Sequence, residues 1–363
     1  MTRIYRIATV IAMAAALCSC AKAVSEGTNE ANQRYFNAWI SLQKTPLERA
    51  GRGIYVYPES VVDGTGATVE KDGFAIVRYK CTDLSGNITS YTYKDAAEQL
   101  GLDSPSEYYG VEVITTADET IQAGVADGIL GMKAAGLEGG KDKDGGEKKF
   151  IVPSWLMSYS NYANEASYLA ESSDQSNTIF DIKVVDFAKN INDWQLDRMV
   201  DCFNKADFYD GAFSGTQVED STSLGFYFKM LNKVPSKKDF PSSDTTIYIN
   251  YTGRLLDLEI YDNGLMFDTS IENVAKVNHI FDSSRTYEPA AIKWAETHGE
   301  ITMDGNSLVS GFTQTLWNMV NCGPGTKAVG VFYSDLGYGY SGSGSIPAYA
   351  PLVFEIEIVE KPE

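Results

Sequence analysis

The chain carries one strand signature twice, and this limits its fold more than any other feature. Residues 352–358 (LVFEIEI) alternate strictly, with Phe354, Ile356 and Ile358 on one side and Glu355 and Glu357 on the other. Such alternation belongs to a half-buried strand. Residues 178–184 (TIFDIKV) repeat it, with Phe180, Ile182 and Val184 inward and Asp181 and Lys183 outward. Each run has an upstream companion: Ala75, Val77 and Tyr79 for the first, Ile247, Ile249 and Tyr251 for the second. Tyr79 and Phe180 are 101 residues apart, and Tyr251 and Phe354 are 103 apart. Between them, IQAGVADGILGM (121–132) parallels LVSGFTQTLWNM (308–319), with Gly124 matching Gly311 and Met132 matching Met319. Signals kept in order at near-constant spacing imply two copies of one α+β unit.

The N-terminus reads as a targeting segment. Arg3 and Arg6 precede an apolar run, Ile7 to Leu17, too short to span a bilayer. The run ends Leu17-Cys18-Ser19-Cys20, which looks like a bacterial lipobox with cleavage before Cys20. Residues 1–19 are then a lipoprotein signal peptide, with lipidation at Cys20 anchoring the protein to a membrane of the cell envelope. Residues 20–50 follow as an anchor segment with a short helix over 29–44. The first copy spans 51–188, a helical connector 189–235 and the second copy 236–363. In the connector, Leu196, Met199, Val200 and Phe203 share one face of a helix over 193–206 that packs between the copies. The Gly-rich charged run 138–149 is a hairpin tip or mobile loop.

Composition removes several function classes. A formal charge of -19 opposes nucleic-acid binding and a polybasic grip on anionic lipid. Loss of Arg3 and Arg6 makes the balance more negative still. Cys81, Cys202 and Cys322 are an odd set at spacings that fit no zinc site, and they read as buried, inert thiols. His279 and His298, the two histidines, lie in no nucleophile motif, which argues against a Ser-His-Asp or Cys-His hydrolase. No metal and no cofactor is expected.

The second copy holds an ordered series of motifs. Tyr251 stands in YTG, Phe267-Asp268 follow the first long strand, and Val309 and Phe312 flank the start of a helix. Tyr338 stands in Gly337-Tyr338-Gly339, Ile346 precedes a proline, and Phe354 stands in LVF. In this order they resemble an FKBP-type peptidyl-prolyl cis-trans isomerase. The resemblance implies two FKBP-like domains, each a curved antiparallel β-sheet wrapped around a short α-helix. It implies that Tyr251, Phe267, Asp268 and Tyr338 are catalytic. Val309 (through its backbone amide), Phe312, Ile346, Phe354 and Arg285 would bind substrate. The partners would be proline-containing polypeptides, such as envelope proteins during folding. Phe312 stands where the family usually has tryptophan. Phe281-Asp282-Ser283-Ser284-Arg285 offers Asp282 as a second candidate for the pocket acid; Asp268 is favoured because Asn263-Gly264 would supply the hairpin turn before it. Residues 271–280 would then be an inserted short helix.

The first copy keeps Tyr79, Tyr159 and Phe180 but has no Phe-Asp after Tyr79, with Val125 at the floor position and Gln122 at the amide position. It reads as a degenerate copy whose pocket lacks both its acid and its aromatic floor. Two other functions fit less of the sequence: a non-catalytic peptide-binding or chaperone lipoprotein, and a surface glycan-binding lipoprotein drawing on 22 Tyr and 5 Trp.

Overall fold

The computed structural model describes residues 28–117, 123–138, 141–157, 162, 164–171, 176–216, 225–236, 241–243, 245–257 and 262–362. The expected signal peptide, Cys20, Gln122 and Tyr159 lie outside them. Two large antiparallel sheets make up the molecule. The first is built from β1 (Glu48–Ala50), β2 (Ile54–Val56), β3 (Phe74–Thr82), β4 (Ile88–Tyr91), β5 (Glu112–Thr115), β6 (Glu147–Val152) and β7 (Thr178–Ala188). The second is built from β8 (Phe226–Asn232), β9 (Thr246–Asp257), β10 (Asp262–Thr269), β11 (Ala290–Lys293), β12 (Thr302–Met303), β13 (Asn306–Ser307), β14 (Lys327–Phe332) and β15 (Leu352–Val359).

Their central topologies coincide, while β1 occurs in the first sheet alone and β12–β13 in the second alone. The first runs β1-β2-β6-β7-β3-β4 with β5 also on β3; the second runs β8-β14-β15-β9-β11-β12-β13 with β10 also on β9. In both, the long first strand is shared lengthwise by two partners. β3 pairs with β5 through Phe74–Val77 and with β4 through Lys80–Thr82; β9 pairs with β11 through Thr246–Ile249 and with β10 from Thr252 onward. The registers match from Val77 and Ile249 onward; before that, β3 carries a bulge between Ile76 and Val77 that β9 lacks. Tyr79 lies opposite Ile182 and Cys81 opposite Phe180, while Tyr251 lies opposite Ile356 and Gly253 opposite Phe354. The α+β architecture implied by the resemblance is present in both halves.

One face of each sheet covers a short helix, α2 (Ala123–Ile129) in the first and α5 (Ser310–Trp317) in the second. Val125, Ile129, Phe150, Phe180, Ile182 and Val184 close the first core; Phe312, Leu316, Phe332, Phe354, Ile356 and Ile358 close the second. Helix and strand exchange bulk between the copies. In the first, a Cβ on Gly128 would meet the Phe150 ring at 2.2 Å; at the matching contact in the second, a Cβ on Gly330 would meet Thr315 Oγ1 at 1.9 Å. Small helix against large strand has become larger helix against glycine, which conserves the space that close packing must fill.

The repeat is longer than the sequence pattern suggests. The anchor-segment helix, α1 (Thr28–Ser41), sets Phe36 on Ile151 and Ile179, on the outer face of the first sheet. The connector helix, α3 (Ile191–Phe203), sets Leu196, Met199 and Phe203 on Val329, Val331 and Val353, on the outer face of the second. Ile151 and Ile179 hold the register positions of Val331 and Val353. Each sheet is therefore preceded by a helix covering the same outer face. α3 also meets the first copy, since Trp194 Nε1 and Arg198 both donate to Asp186 of β7.

One local expectation is corrected: Asn263 and Gly264 are not a turn but part of β10, with Asn263 opposite Leu256. The run 138–149 holds a hairpin, with Leu137–Glu138 paired antiparallel to Lys141–Asp142, and its end, Glu147, opens β6. The inserted helix is present as α4 (Glu272–Val277). Cys81, Cys202 and Cys322 are free and buried. No helix among the described residues is long and apolar enough to cross a membrane.

The bulk exchange sets a stability test. Gly330→Ala should cost about 1–3 kcal/mol, as overpacking does. Adding Thr315→Gly should recover part of that loss, so that denaturant titration of the two single variants and the double variant gives a favourable coupling. Purely additive losses would contradict this contact.

Candidate functional site

The site is founded on Phe354, which projects from β15 between two glycines on the adjoining strands, Gly253 of β9 and Gly330 of β14. Those glycines leave room for rings. Phe267 packs edge-on to Phe354 at 5.6 Å, Phe312 edge-on at 4.9 Å, and Phe332 stacks on it at 5.9 Å. Phe312 also meets Tyr251 edge-on at 5.7 Å. A Cβ on Gly253 would lie 2.6 Å from the Phe267 ring and 2.7 Å from that of Phe354. A larger residue there would displace the floor.

Above this floor opens a cavity of about 620 Å³. All nine residues singled out by the motifs line it: Tyr251, Phe267, Asp268, Arg285, Val309, Phe312, Tyr338, Ile346 and Phe354. Met303, Asp304, Asn306, Ser307, Leu308 and Ser343–Ser345 complete the wall. Met303 arrives through the small β12–β13 hairpin, whose two-residue strands leave little periodic signal in the sequence.

One edge of the cavity is polar. The Tyr251 hydroxyl donates to Asp268 Oδ2 at 2.7 Å and accepts from an Arg285 guanidinium nitrogen at 3.0 Å. A second guanidinium nitrogen of Arg285 pairs with Asp268 Oδ1. The result is a closed triangle of phenol, carboxylate and guanidinium. Burial, then the charge and hydrogen bond of Asp268, push the Tyr251 phenol well above its ordinary range. Burial and the Asp268 charge also raise Tyr338, a residue 37% exposed at the rim. Asp282 takes no part. It is exposed, accepts from the Ser284 amide and hydroxyl at 2.8 and 2.7 Å, and sits in a local turn outside the cavity. Of the two acids the motifs offer, Asp268 lines this cavity and Asp282 does not.

Val309 caps α5 in extended conformation, its carbonyl receiving Phe312 N and Thr313 N. Its own N–H has no partner among the described residues. The cavity therefore combines an aromatic floor, one neutralised ion pair, a free backbone donor and a phenol at the rim. That set can hold an apolar ring and a carbonyl oxygen together.

The matching position in the first copy is built differently. Cys81 replaces Gly253 and Phe150 replaces Gly330 beside Phe180, so both flanks of that phenylalanine are filled. The helix position of Phe312 holds Val125. Tyr79 does have an acid, contrary to expectation: its hydroxyl donates to Glu112 Oε2 at 2.9 Å. Glu112 comes from β5, not from the strand that carries Asp268 in the second copy. Its carboxyl is raised by burial, with the Tyr79 hydrogen bond opposing.

No protein-family model and no curated protein matches the sequence. Among solved structures, the chain is similar to the three FKBP domains of wheat FKBP73, at 14% identity and a TM-score of 0.26 over 85% of this chain and 94% of that one. It is similar to FkpA from Escherichia coli, at 23% identity and a TM-score of 0.28 over 47% of this chain and 58% of that one. It is also similar to a peptidyl-prolyl cis-trans isomerase from Pseudomonas syringae, at 23% identity and a TM-score of 0.26 over 45% of this chain and 93% of that one.

The raised Tyr251 phenol sets the sign of a pH effect. Above about pH 10, the ordinary tyrosine value, the unfolded chain releases this proton before the folded chain does. The contribution of Tyr251 is complete below that pH and is lost as pH rises toward the folded value. Denaturant titrations from pH 9 to pH 11, about the ordinary tyrosine value, should show wild type losing stability more steeply than Tyr251→Phe.

Proposed function

We propose that the second copy is a peptidyl-prolyl cis-trans isomerase of the FKBP type. The observation that carries this reading is the convergence of all nine motif residues on one cavity with an aromatic floor. The reaction itself explains why such a pocket would suffice. Rotation about an Xaa-Pro bond is slow because the C–N bond has partial double-bond character, with a barrier of about 18–20 kcal/mol. In the perpendicular state resonance is lost and the amide becomes less polar, so an apolar enclosure favours that state over the planar one. Each ~1.4 kcal/mol of such preference gives about tenfold in rate.

In this reading the proline ring lies on Phe312 and Phe354, enclosed by Tyr251, Phe267 and Ile346. The Val309 N–H and the Tyr338 hydroxyl bind substrate carbonyls. Asp268 accepts from Tyr251 and pairs with Arg285, which fixes the wall facing the twisting bond. No proton transfer is needed, and this agrees with a triangle whose charges neutralise each other. We place the activity at the cell envelope, on a chain anchored through Cys20, where unfolded secreted polypeptides would be the substrates. The Leu17–Cys20 segment supports that placement.

The test is cis-trans exchange on a short Xaa-Pro peptide, followed by NMR with residues 21–363. Wild type should accelerate exchange. Phe312→Ala should lower kcat/KM by about tenfold or more, as loss of ~1.4 kcal/mol or more of transition-state contact requires, and Phe312→Trp should raise it. A folded wild type without acceleration at high protein concentration would move the function to peptide binding. For the anchor, Cys20→Ser should shift the full-length protein from the membrane to the soluble fraction on cell fractionation; unchanged membrane association would rule out lipidation at Cys20.

A further inference from the structure

The cavity wall contributed by residues 333–351 is poorly fixed by its own sequence. It carries Tyr338 and Ile346, and Gly339, Gly342 and Gly344 all take positive φ. Few backbone hydrogen bonds tie it internally: Leu336 N to Tyr333 O at 3.2 Å and Gly337 N to Ser334 O at 2.9 Å in its first turn, then Tyr349 N to Gly339 O at 2.8 Å and the reciprocal Ser343–Ile346 pair at 2.9 Å. The second copy holds its ends through Tyr333 N to Gly225 O and Leu256 N to Pro351 O, and both ends are also gripped from outside the second sheet.

At the start, Gln195 of α3 is wholly buried and grips Ser334 at two points. Gln195 Nε2 donates to Ser334 Oγ at 2.9 Å, and Ser334 N donates to Gln195 Oε1 at 2.8 Å. One turn earlier, Asn192 Nδ2 donates to Asp335 Oδ2 at 2.6 Å. Leu336 then packs into the second core. At the far end, Phe74 of the first copy meets the Tyr349 ring edge-on at 5.4 Å. Tyr108, also of the first copy, packs against the second core. The first copy repeats the device with its own leading helix: buried Asn29 of α1 donates to the Tyr168 carbonyl at 2.8 Å, in the segment that follows β6.

We propose that the first copy and α3 form a positioning scaffold for the pocket wall of the second. Gln195 and Phe74 act as positioning residues that set Tyr338 and Ile346 against the aromatic floor. The proposal rests on the isomerase reading for its effect on rate, but its geometric part stands apart from catalysis. A buried amide that satisfies both a backbone N–H and a hydroxyl leaves both unpaired when removed. A glycine-rich segment freed at either end regains backbone entropy. Displacement of about an ångström at a positioning wall is enough to weaken turnover substantially.

The experiment uses residues 21–363 with Gln195→Ala, Phe74→Ala and Phe74→Tyr. Exchange kinetics on the Xaa-Pro peptide are measured alongside the Ile346 methyl resonance, in protein labelled at isoleucine methyls. Gln195→Ala and Phe74→Ala should shift the Ile346 methyl, with kcat/KM down about tenfold; the aromatic replacement Phe74→Tyr should restore both. Phe74 is only half-buried, so its variants keep the test open if Gln195→Ala fails to fold. If wild type shows no isomerase activity, the methyl shift alone decides the scaffold. An unmoved Ile346 methyl with unchanged kcat/KM in folded variants would overturn the proposal.

Discussion

Everything distinctive in the second copy follows from the space around Phe354. A phenylalanine on a central strand normally has neighbours with side chains on both adjoining strands. Here both neighbours are glycine, and three other aromatic rings occupy the space left free. Each glycine in a strand costs about 0.5–1 kcal/mol relative to alanine. Each edge-on or stacked aromatic pair returns a similar amount, about 0.5–1.5 kcal/mol beyond its buried area. The net stability gain is small. What the exchange produces is a floor of ring faces and edges open on one side, where aliphatic side chains would have closed the core. In the first copy Cys81 and Phe150 fill the same flanks of Phe180, and Phe150 stacks directly on it at 5.6 Å. The same backbone thus carries an open aromatic floor in one case and a closed core in the other.

The tyrosine–carboxylate pair is a weaker discriminator than it looks. Tyr79 and Tyr251 hold equivalent register positions, and each donates to a carboxylate, yet the acid comes from a different strand in each copy. A phenol this deeply placed requires an acceptor, and either route supplies one. The shared requirement is structural. What separates the copies is Arg285, which completes the charge balance in the second, together with the aromatic floor. Asp268 is then better understood as the group that fixes Tyr251 and Arg285 than as a proton carrier.

The inward faces of the long strands and the duplication were legible in the sequence, because strict alternation and the near-equal spacings of Tyr79–Phe180 and Tyr251–Phe354 report on them; the strand registers were not. The nine cavity residues were legible through motif order. Other features had no local signal. Glu112 approaches Tyr79 from a strand whose pairing depends on the whole sheet, so no spacing rule pointed to it. Asn263-Gly264 has turn chemistry but lies in a strand with shifted register, where tertiary pairing overrides local preference. The outer-face role of α1 was hidden because its apolar stripe reads equally well as a linker helix. It becomes evident only when Phe36 is found on Ile151 and Ile179, at the positions α3 covers in the second copy.

With the leading helix included, the repeating unit is a sheet covered on one face by its short inner helix and on part of the other by the helix that precedes it. That arrangement explains why the segment after β14 need not be stable alone. Its glycines allow the tight path that brings Tyr338 and Ile346 to the cavity, and their conformational freedom would disperse those side chains in an isolated loop. Anchoring it through Ser334 to α3, and through Tyr349 to Phe74, moves the ordering cost onto elements already fixed by their own cores. A duplicated fold offers such anchors readily, because the second copy always folds beside the first. A copy in which side chains flank the central phenylalanine on both strands can therefore still shape the pocket of its neighbour, through contacts at the rim and none at its floor.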